Sequence, residues 1–597
     1  MKYRWQIRKN KDILTTLFFK LLPVQILIVA MGAINSIVDG AVAGRCIDAG
    51  TVGVVGMYYS FLNLLAAVSS MLLGGTAVLC GRSMGRGDMR NTNGIFSLNI
   101  TVTIICGVIF TLISAVAPGN IADILGASKE LRSGLAIYVF GYAIGIIPMF
   151  LSQQFASFLQ MERQNVRGYV GIAVMIVTNV TADILLVAIW DMGVFGLALA
   201  TSFSNWAYFL TMLSYYVMGR SQLKYEIKSI AWKMTGEMIK IGFPGALLLF
   251  ALALRGPVLN RILLKYTGND GLAAQAGLGM VNGLFIAFAM GIGATLRILS
   301  SVAFGEEDRD SLKQLIKTAV IGTLPITVFV TASVLALSVP ISVLFFPDTS
   351  SVAFRYSREL FTIYGCSIPL IVLCQIVANY LQAGEHNLYL NILSVFDGFF
   401  SMLIPARILA PLLGATGIWI ANPIGMILTL LLSVGYACVF WRRVPRSLDE
   451  WLLLREDFGV KDEDRLVIMI REMKDVTDTA SAVHEFCIGH EGIDRKTSFY
   501  AALCLEEMAG NVVRHGFLAD DKGHMADVRI VIKDNGVLLR IKDDCRPFNP
   551  REMADLLTDE DPAKNIGLRM VMRLSNEMTY QNLMGLNVLT VRLTAAQ

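Results

Sequence analysis

The chain has 597 residues, 55% of them hydrophobic and only 16% charged, with a mean hydropathy of +0.58. Soluble globular chains carry about 25% charged residues, so the composition excludes a disordered, collagen-like or small disulfide-stapled protein and points to a large membrane-embedded part. The net charge of +4 conceals a break: residues 449–597 hold 19 Lys+Arg against 27 Asp+Glu, a net of −8, whereas residues 1–448 hold 32 against 20, a net of +12.

The N-terminus, MKYRWQIRKNKD, is basic and precedes an apolar run too long for a signal peptide, so it reads as a retained first helix. Further runs follow, giving twelve apolar stretches near 13–40, 52–80, 93–117, 132–160, 166–190, 193–218, 240–266, 272–300, 313–345, 354–382, 388–409 and 414–441. Their lengths suit membrane-crossing helices, which satisfy their own backbone in lipid. Basic residues gather before the first run and in alternate loops, among them Arg82, Arg86 and Arg90, then Lys224, Lys228 and Lys233, and finally Arg442, Arg443 and Arg446. Positive loops stay inside. A multi-pass plasma-membrane protein with both termini in the cytoplasm is expected. No basic stripe of a nucleic-acid-binding kind is present, and the nine cysteines are scattered without a CxxC, so neither a nucleic-acid partner nor a disulfide or zinc framework is expected.

Three motifs recur in order. MGRGD, with Gly85 and Asp88, returns as FGEED, with Gly305 and Asp308, at an offset of 220. LQMERQN, with Gln160 and Asn165, returns as LQAGEHN, with Gln382 and Asn387, at 222; FGLALA, with Gly196, returns as TGIWIA, with Gly417, at 221. The near-constant spacing implies two six-helix repeats, 1–220 and 221–441, in the same orientation, an arrangement of secondary transporters with the site between halves.

This layout, with VDGAVAGR ending helix 1, GRSMGRGD after helix 2 and an Asn/Asp pair in helix 5, resembles the MATE (multidrug and toxic compound extrusion) family over about residues 10–441. The resemblance implies an all-α exporter in membrane lipid that exchanges H+ or Na+ for amphipathic, often cationic, small molecules. Asp39 matches the family's helix-1 coupling acid, and Asn179 with Asp183 matches a polar pair lining the N-terminal cavity. Their i,i+4 spacing puts the pair on one helix face. An enclosed carboxyl holds a proton more readily than one in water, so proton and cationic substrate can compete for it. Helix 7, IGFPGALLLFALALRGPVLNRILL, departs from members with an acid there: it carries Arg255 and Arg261 and no carboxylate. Asp397 in helix 11 is a candidate partner for an arginine across the bundle.

Beyond a linker at 442–461, residues 462–597 change pattern. RLVIMI, DVRIVIK, GVLLRIKD and LNVLTVRL read as strands, with Asp534-Asn535-Gly536 as a hairpin turn, and 475–490 and 495–515 as helices. The expected fold is a cytosolic α/β sandwich. In CLEEMAGNVVRHGF, Glu507, Asn511 and His515 share one helix face, and a carboxylate beside a carboxamide suits Mg2+ and base chemistry. Gly567, at a helix start in KNIGLRMVMRL, offers backbone N–H groups to phosphate. His484 reads as structural, and His490 and His524 as too isolated for a metal.

With KDDCRPFNP between them, these segments resemble the GHKL ATP-binding fold, closest to its anti-sigma-factor serine/threonine kinase branch. The resemblance implies ATP and Mg2+ as cofactors, Glu507 as catalytic base, Asn511 as Mg2+ ligand, Asp543 on the adenine amino group, and Gly567 and Leu568 in the phosphate loop. Cys545 stands where the family usually has Gly, and Lys564 and Asn565 replace further glycines; Lys564 can pair with phosphate. The expected function is a drug exporter with an ATP-binding regulatory domain. The alternative is a membrane-anchored anti-sigma-like kinase or sensor that acts on an anti-anti-sigma-like protein and does not transport. No GxxxxGK[ST] occurs in 462–597 to suggest direct drive by ATP.

Overall fold

The computed structural model describes residues 11–594 apart from 43–46, 48, 87, 126–128, 163, 220, 347, 457, 518–523, 534–535, 548, 550–565 and 584–585. The first part is helical: α1 (Lys11–Val42), α2 (Ala49–Gly85), α3 (Met89–Val116), α4 (Pro118–Ile124), α5 (Lys129–Met161), α6 (Asn165–Asp183), α7 (Gly193–Val217), α8 (Thr235–Gly305), α9 (Arg309–Lys317), α10 (Leu324–Phe345), α11 (Val352–Ala383), α12 (Asn387–Val395), α13 (Ser401–Leu413) and α14 (Ala415–Trp441). Wider π-type turns extend α6 over Ile184–Ile189, α9 over Thr318–Gly322 and α12 over Phe396–Phe400. α8 comprises two helices joined at Gly268, whose φ of +64° only glycine adopts freely.

Among the described residues, ten helices are long and apolar enough to cross a membrane. The expected runs 13–40 and 193–218 fall outside that set. α1 enters only as the shorter apolar segment Leu14–Ala30. The buried side of α7 carries Thr201, Ser202, Ser204 and Asn205, and hydropathy drops where polar groups face neighbouring helices rather than lipid. Elsewhere the lipid face is plain: Ile104, Ile105, Ile109 and Leu112 stand exposed along α3, an aliphatic stripe too extended for a water-facing surface.

The repeated motifs perform repeated work. Asp88 caps α3 by accepting from the Asn91 amide at 2.9 Å, and Asp308 caps α9 by accepting from the Ser311 amide at 3.0 Å. The two halves meet through glycines. A Cβ at Gly75 would overlap the Met238 carbonyl, one at Gly242 the Met71 carbonyl, and one at Gly81 the Ser301 hydroxyl. Gly85 and Gly305 press on Val302 and Arg82 in the same way. α2 therefore lies backbone to backbone on α8.

The expected linker is packed. After Trp441, α15 (Leu448–Trp451) sets Asp449 2.8 Å from the Lys313 ammonium, and Leu452, Leu453 and Leu454 are buried. The Tyr380 hydroxyl donates to the Leu452 carbonyl at 2.9 Å.

The last part contains β1 (Arg465–Ile470), α16 (Met473–Ile488), α17 (Arg495–Asn511) with a wider turn Val512–Gly516, β2 (Ala526–Lys533), β3 (Gly536–Asp543), α18 (Ile566–Leu574), β4 (Glu577–Leu583) and β5 (Leu586–Thr594). The five strands form an antiparallel sheet in the order β1-β2-β3-β5-β4. Lys533 pairs with Gly536, so two residues, Asp534 and Asn535, connect the strands and lie outside the described residues; Gly536, expected in the turn, is instead the first residue of β3. Strand β4 was not anticipated: EMTYQNL lacks clean alternation, because Gln581 and Asn582 are buried polar residues. One face of the sheet shares a core with the helices through Ile530, Leu539 and Val591 beside Val476, Leu505 and Leu568. The other face meets the bundle, where Leu586 and Val588 enter the bundle's own apolar core.

Gly242→Ala is expected to destabilise the full chain by about 3 kcal/mol, since backbone opposes the new methyl. Gly435→Ala, with open space at its Cβ position, should leave the melting temperature in detergent unchanged.

Candidate functional site

In the bundle, α6 buries one side through Ile172, Met175, Asn179, Ala182, Asp183 and Leu186, while Val177, Val180 and Ile184 point outward. The i,i+4 spacing of Asn179 and Asp183 thus places both on the inward face, fully buried. Asp183 is the last residue before a wider helical turn, a feature frequent at functional sites. Asp39 lies in the last turn of α1; its side chain falls outside the described residues.

A buried polar network in the first half escaped sequence reading. The Asn99 amide donates to Thr76 Oγ1 at 2.8 Å and to Gln154 Oε1 at 3.1 Å. The Ser69 hydroxyl donates to Gln153 Oε1 at 2.6 Å, and Gln25 donates to Gln160. The available signal was carboxamides within apolar runs, which are costly in lipid unless partnered. In the second half, Asp397 accepts from the Thr429 hydroxyl at 3.1 Å, with Arg255 in electrostatic reach. Arg297 donates to Gln382 Oε1 at 3.1 Å, close to Gly74 of the first half. Of the arginines, Arg255 is the one that interacts electrostatically with Asp397.

In the last part, two predicted residues meet. A Cβ on Gly567 would overlap the Glu507 carboxylate, so that carboxylate rests against the first turn of α18, where free N–H groups favour an anion. Asn511 ends α17, four residues along the same face from Glu507 and half-buried. Asp543 ends β3 and is buried; its Oδ1 accepts from the Cys545 amide at 3.0 Å and from the Asn587 carboxamide at 2.7 Å. Burial pushes the Asp543 carboxyl above its ordinary range, and those two donors partly offset it. Leu568 is buried in the domain core; its side chain packs and only its backbone is available to a ligand. Lys564 and Asn565 lie outside the described residues.

Cys545 is buried with its thiol against Gly516. The side chain that replaces the family glycine is thus accommodated by a glycine across from it. His515 points to solvent. His484 hydrogen-bonds the Ser498 hydroxyl at 2.9 Å, a helix-to-helix tie in keeping with a structural role. His490 is held by the Phe486 and Glu463 carbonyls at 2.7 Å. His524 is less isolated than its sequence position suggests: with Asp544 and Cys545 it sets one donor atom each within 4.8 Å, and its Nδ1 lies 3.0 Å from Asp544 Oδ1. Residues 524 and 544 meet only through the β2–β3 hairpin, so their spacing along the chain conceals the cluster.

Chemically, a buried carboxylate such as Asp543 can accept from an exocyclic amine, and a nine-residue helix presents its N-terminus to the Glu507 carboxylate.

Asp527, on the sheet face turned to the bundle, is buried, and burial pushes its carboxyl up from 3.8 to about 6; Lys542 and Arg529 pull it down in part, while Asp308 and Glu306 push it up. The folded form therefore binds this proton more tightly than the unfolded one. The contribution is full below the unfolded value and is lost as pH rises through about 6. Asp527→Asn is expected to stabilise the full chain at pH 7.5 by about 1–3 kcal/mol and to have little effect at a pH near the ordinary carboxyl value, measured as melting temperatures at both.

Two families of known proteins match the chain. The MatE family model matches twice, at residues 25–185 and 244–404, and a histidine kinase-like ATPase domain matches residues 471–593. The chain is 21% identical over 435 residues to a probable multidrug resistance protein, YoeA, of Bacillus subtilis, covering 69% of this chain and 90% of the relative. It is 27% identical over 227 residues to the multidrug export protein MepA of Staphylococcus saprophyticus, covering 36% of this chain and 49% of that relative. Among solved structures, an outward-facing multidrug resistance MATE transporter of the MOP superfamily superposes with a TM-score of 0.67 at 16% identity, over 75% of this chain and all of the other. The Vibrio cholerae MATE transporter VcmN, in mutant form, gives 0.67 at 15%, over 72% and 98%.

Proposed function

The chain belongs to the MatE family, and we propose that it is a secondary exporter of amphipathic organic compounds, coupled to H+ or Na+ and regulated by its ATP-binding domain. In this reading it crosses the plasma membrane twelve times, in two six-helix halves (1–220 and 221–441), with a linker (442–461), the nucleotide domain (462–597) and both termini in the cytoplasm. Asp39, Asn179 and Asp183 exchange coupling ion and substrate. The observation that carries this is the fully buried Asn179/Asp183 face of α6: a carboxylate is kept inside a membrane bundle at a cost of several kcal/mol, which function repays.

In the nucleotide domain, Asp543 would receive the adenine amino group, Asn511 a Mg2+ ion, and Gly567, Leu568 and Lys564 the phosphates. The support is the approach of Glu507 to Gly567 at the α18 N-terminus, with Asn511 four residues along the same helix face. ATP would supply a bound, negatively charged triphosphate; Glu507, now against Gly567, would have to swing away to admit it. Transfer of the γ-phosphoryl group of ATP to Glu507-activated water, or to a serine hydroxyl of an anti-anti-sigma-like partner, with ADP as the leaving group, is the further role this domain would allow.

Everted vesicles carrying Asp183→Asn, or Asp39→Asn, are expected to lose substrate-driven proton or sodium flux at least tenfold while inserting at wild-type levels; retained flux would end the coupling assignment. Full-length protein is expected to bind ATP with Mg2+ in equilibrium binding, and Asn511→Ala to weaken it at least tenfold. Equal binding by both would remove Asn511 from the site.

A further inference from the structure

The nucleotide domain is seated on the inner ends of both halves. Strands β2, β3 and β5 alternate. Ile530, Leu539 and Ile541 turn into the domain core, and the residues between them turn to the bundle. Arg529 NH1 lies 2.5 Å from Asp308 Oδ2, Lys542 Nζ 2.6 Å from Glu306 Oε2 and Arg540 NH1 3.8 Å from Glu306 Oε1. Arg465 reaches Asp310 at 2.9 Å and Lys533 reaches Glu307 at 3.0 Å. Those acids belong to the second half. The first half is held as well: Arg540 donates to the Gly85 carbonyl at 3.4 Å, and Leu586 and Val588 share a small apolar chamber with Leu14 and Leu17 of α1 and Leu299 of α8. The Asn582 amide donates to Gln222, in the segment joining the halves, at 3.4 Å.

The internal repeat isolates what is special about this loop. At the offset of 220, Asp88 corresponds to Asp308, and both cap the next helix. Arg86 corresponds to Glu306. Arg86 is exposed, whereas the Glu306 side chain is 3% exposed and grips two cations of the tail. Capping accounts for the shared aspartate. It does not account for the inverted charge, which serves the tail's basic sheet face.

We propose that the nucleotide domain is a cytoplasmic clamp: seated as here, it holds the inner ends of the two halves together, and inward opening requires it to leave one of them, parting either from Glu306 and Asp308 of the second half or from Gly85, Leu14 and Leu17 of the first. Resting on the ATP-binding reading above, the same proposal makes nucleotide its release. Asp543 follows Lys542 directly, and the Asn587 that binds Asp543 stands between Leu586 and Val588. A base taken up at Asp543 displaces Asn587, and with it the two side chains of the apolar seat.

The test is hydrogen–deuterium exchange of the full chain in nanodiscs, read over residues 81–86 and 299–308. Glu306→Lys is expected to raise exchange in both segments at least tenfold, with residues 495–505 unchanged, and Glu306→Lys with Lys542→Glu is expected to restore protection to within threefold. Unchanged exchange, or a rise that the charge swap leaves in place, overturns the clamp. Should Glu306→Lys not fold, Glu306→Gln is read in its stead, with a threefold rise expected and no rise overturning the proposal. Saturating Mg2+-ATP on the wild type is expected to raise exchange in the same two segments at least threefold. Bound ATP with no such rise overturns nucleotide release. Absence of ATP binding overturns the nucleotide reading itself, while the charge-swap arm still decides the clamp.

Discussion

The arrangement depends on how closely two helices from different halves approach at the end of the bundle that meets the tail. Gly75, Gly81 and Gly85 of α2 and Gly242 and Gly305 of α8 leave no side chain between backbones. In lipid no hydrophobic force joins helices, so close van der Waals contact supplies the attraction. Asp88 and Asp308 then fix where each following helix begins, by taking up amides that would otherwise be orphaned. The loops that carry these caps emerge side by side, and that position is where the tail sits.

The tail answers with a sheet that is used on both sides. Strand alternation sends Ile530, Leu539 and Ile541 to the domain's core and Arg529, Arg540 and Lys542 to the bundle. Removing such cations from water is costly unless each meets an acid, and Glu306 and Asp308 meet that requirement. Arg529 holds the buried Asp308 carboxyl well below the usual range, against the opposing effect of burial. Asp543 lies one peptide beyond Lys542, so a single strand end carries both the bundle contact and the proposed adenine contact.

Much of this was legible in the sequence because it is local. The apolar runs on either side of residues 534–536 announced the hairpin, the 3.6-residue period put Asn179 with Asp183 and Glu507 with Asn511, and the spaced motifs exposed the duplication now matched by two copies of one family model. What was illegible is set by long-range contact. β4 hides its strand character because Gln581 and Asn582 are buried. α7 falls short on hydropathy because its inner face is hydroxyl-rich. The seating of the tail joins residues more than 200 positions apart, and a row of alternating Arg and Lys on a strand reads, without its partner, as an ordinary wet surface.

The stretch after Trp441 has one more consequence. With Leu452–Leu454 sunk into the bundle and Tyr380 bonded to Leu452, only residues 455–464 separate this anchor from β1. So short a leash keeps the local concentration of the sheet near its seat very high. Letting go is then a rocking motion of small travel with rapid return, unimolecular and indifferent to how much protein the cell makes.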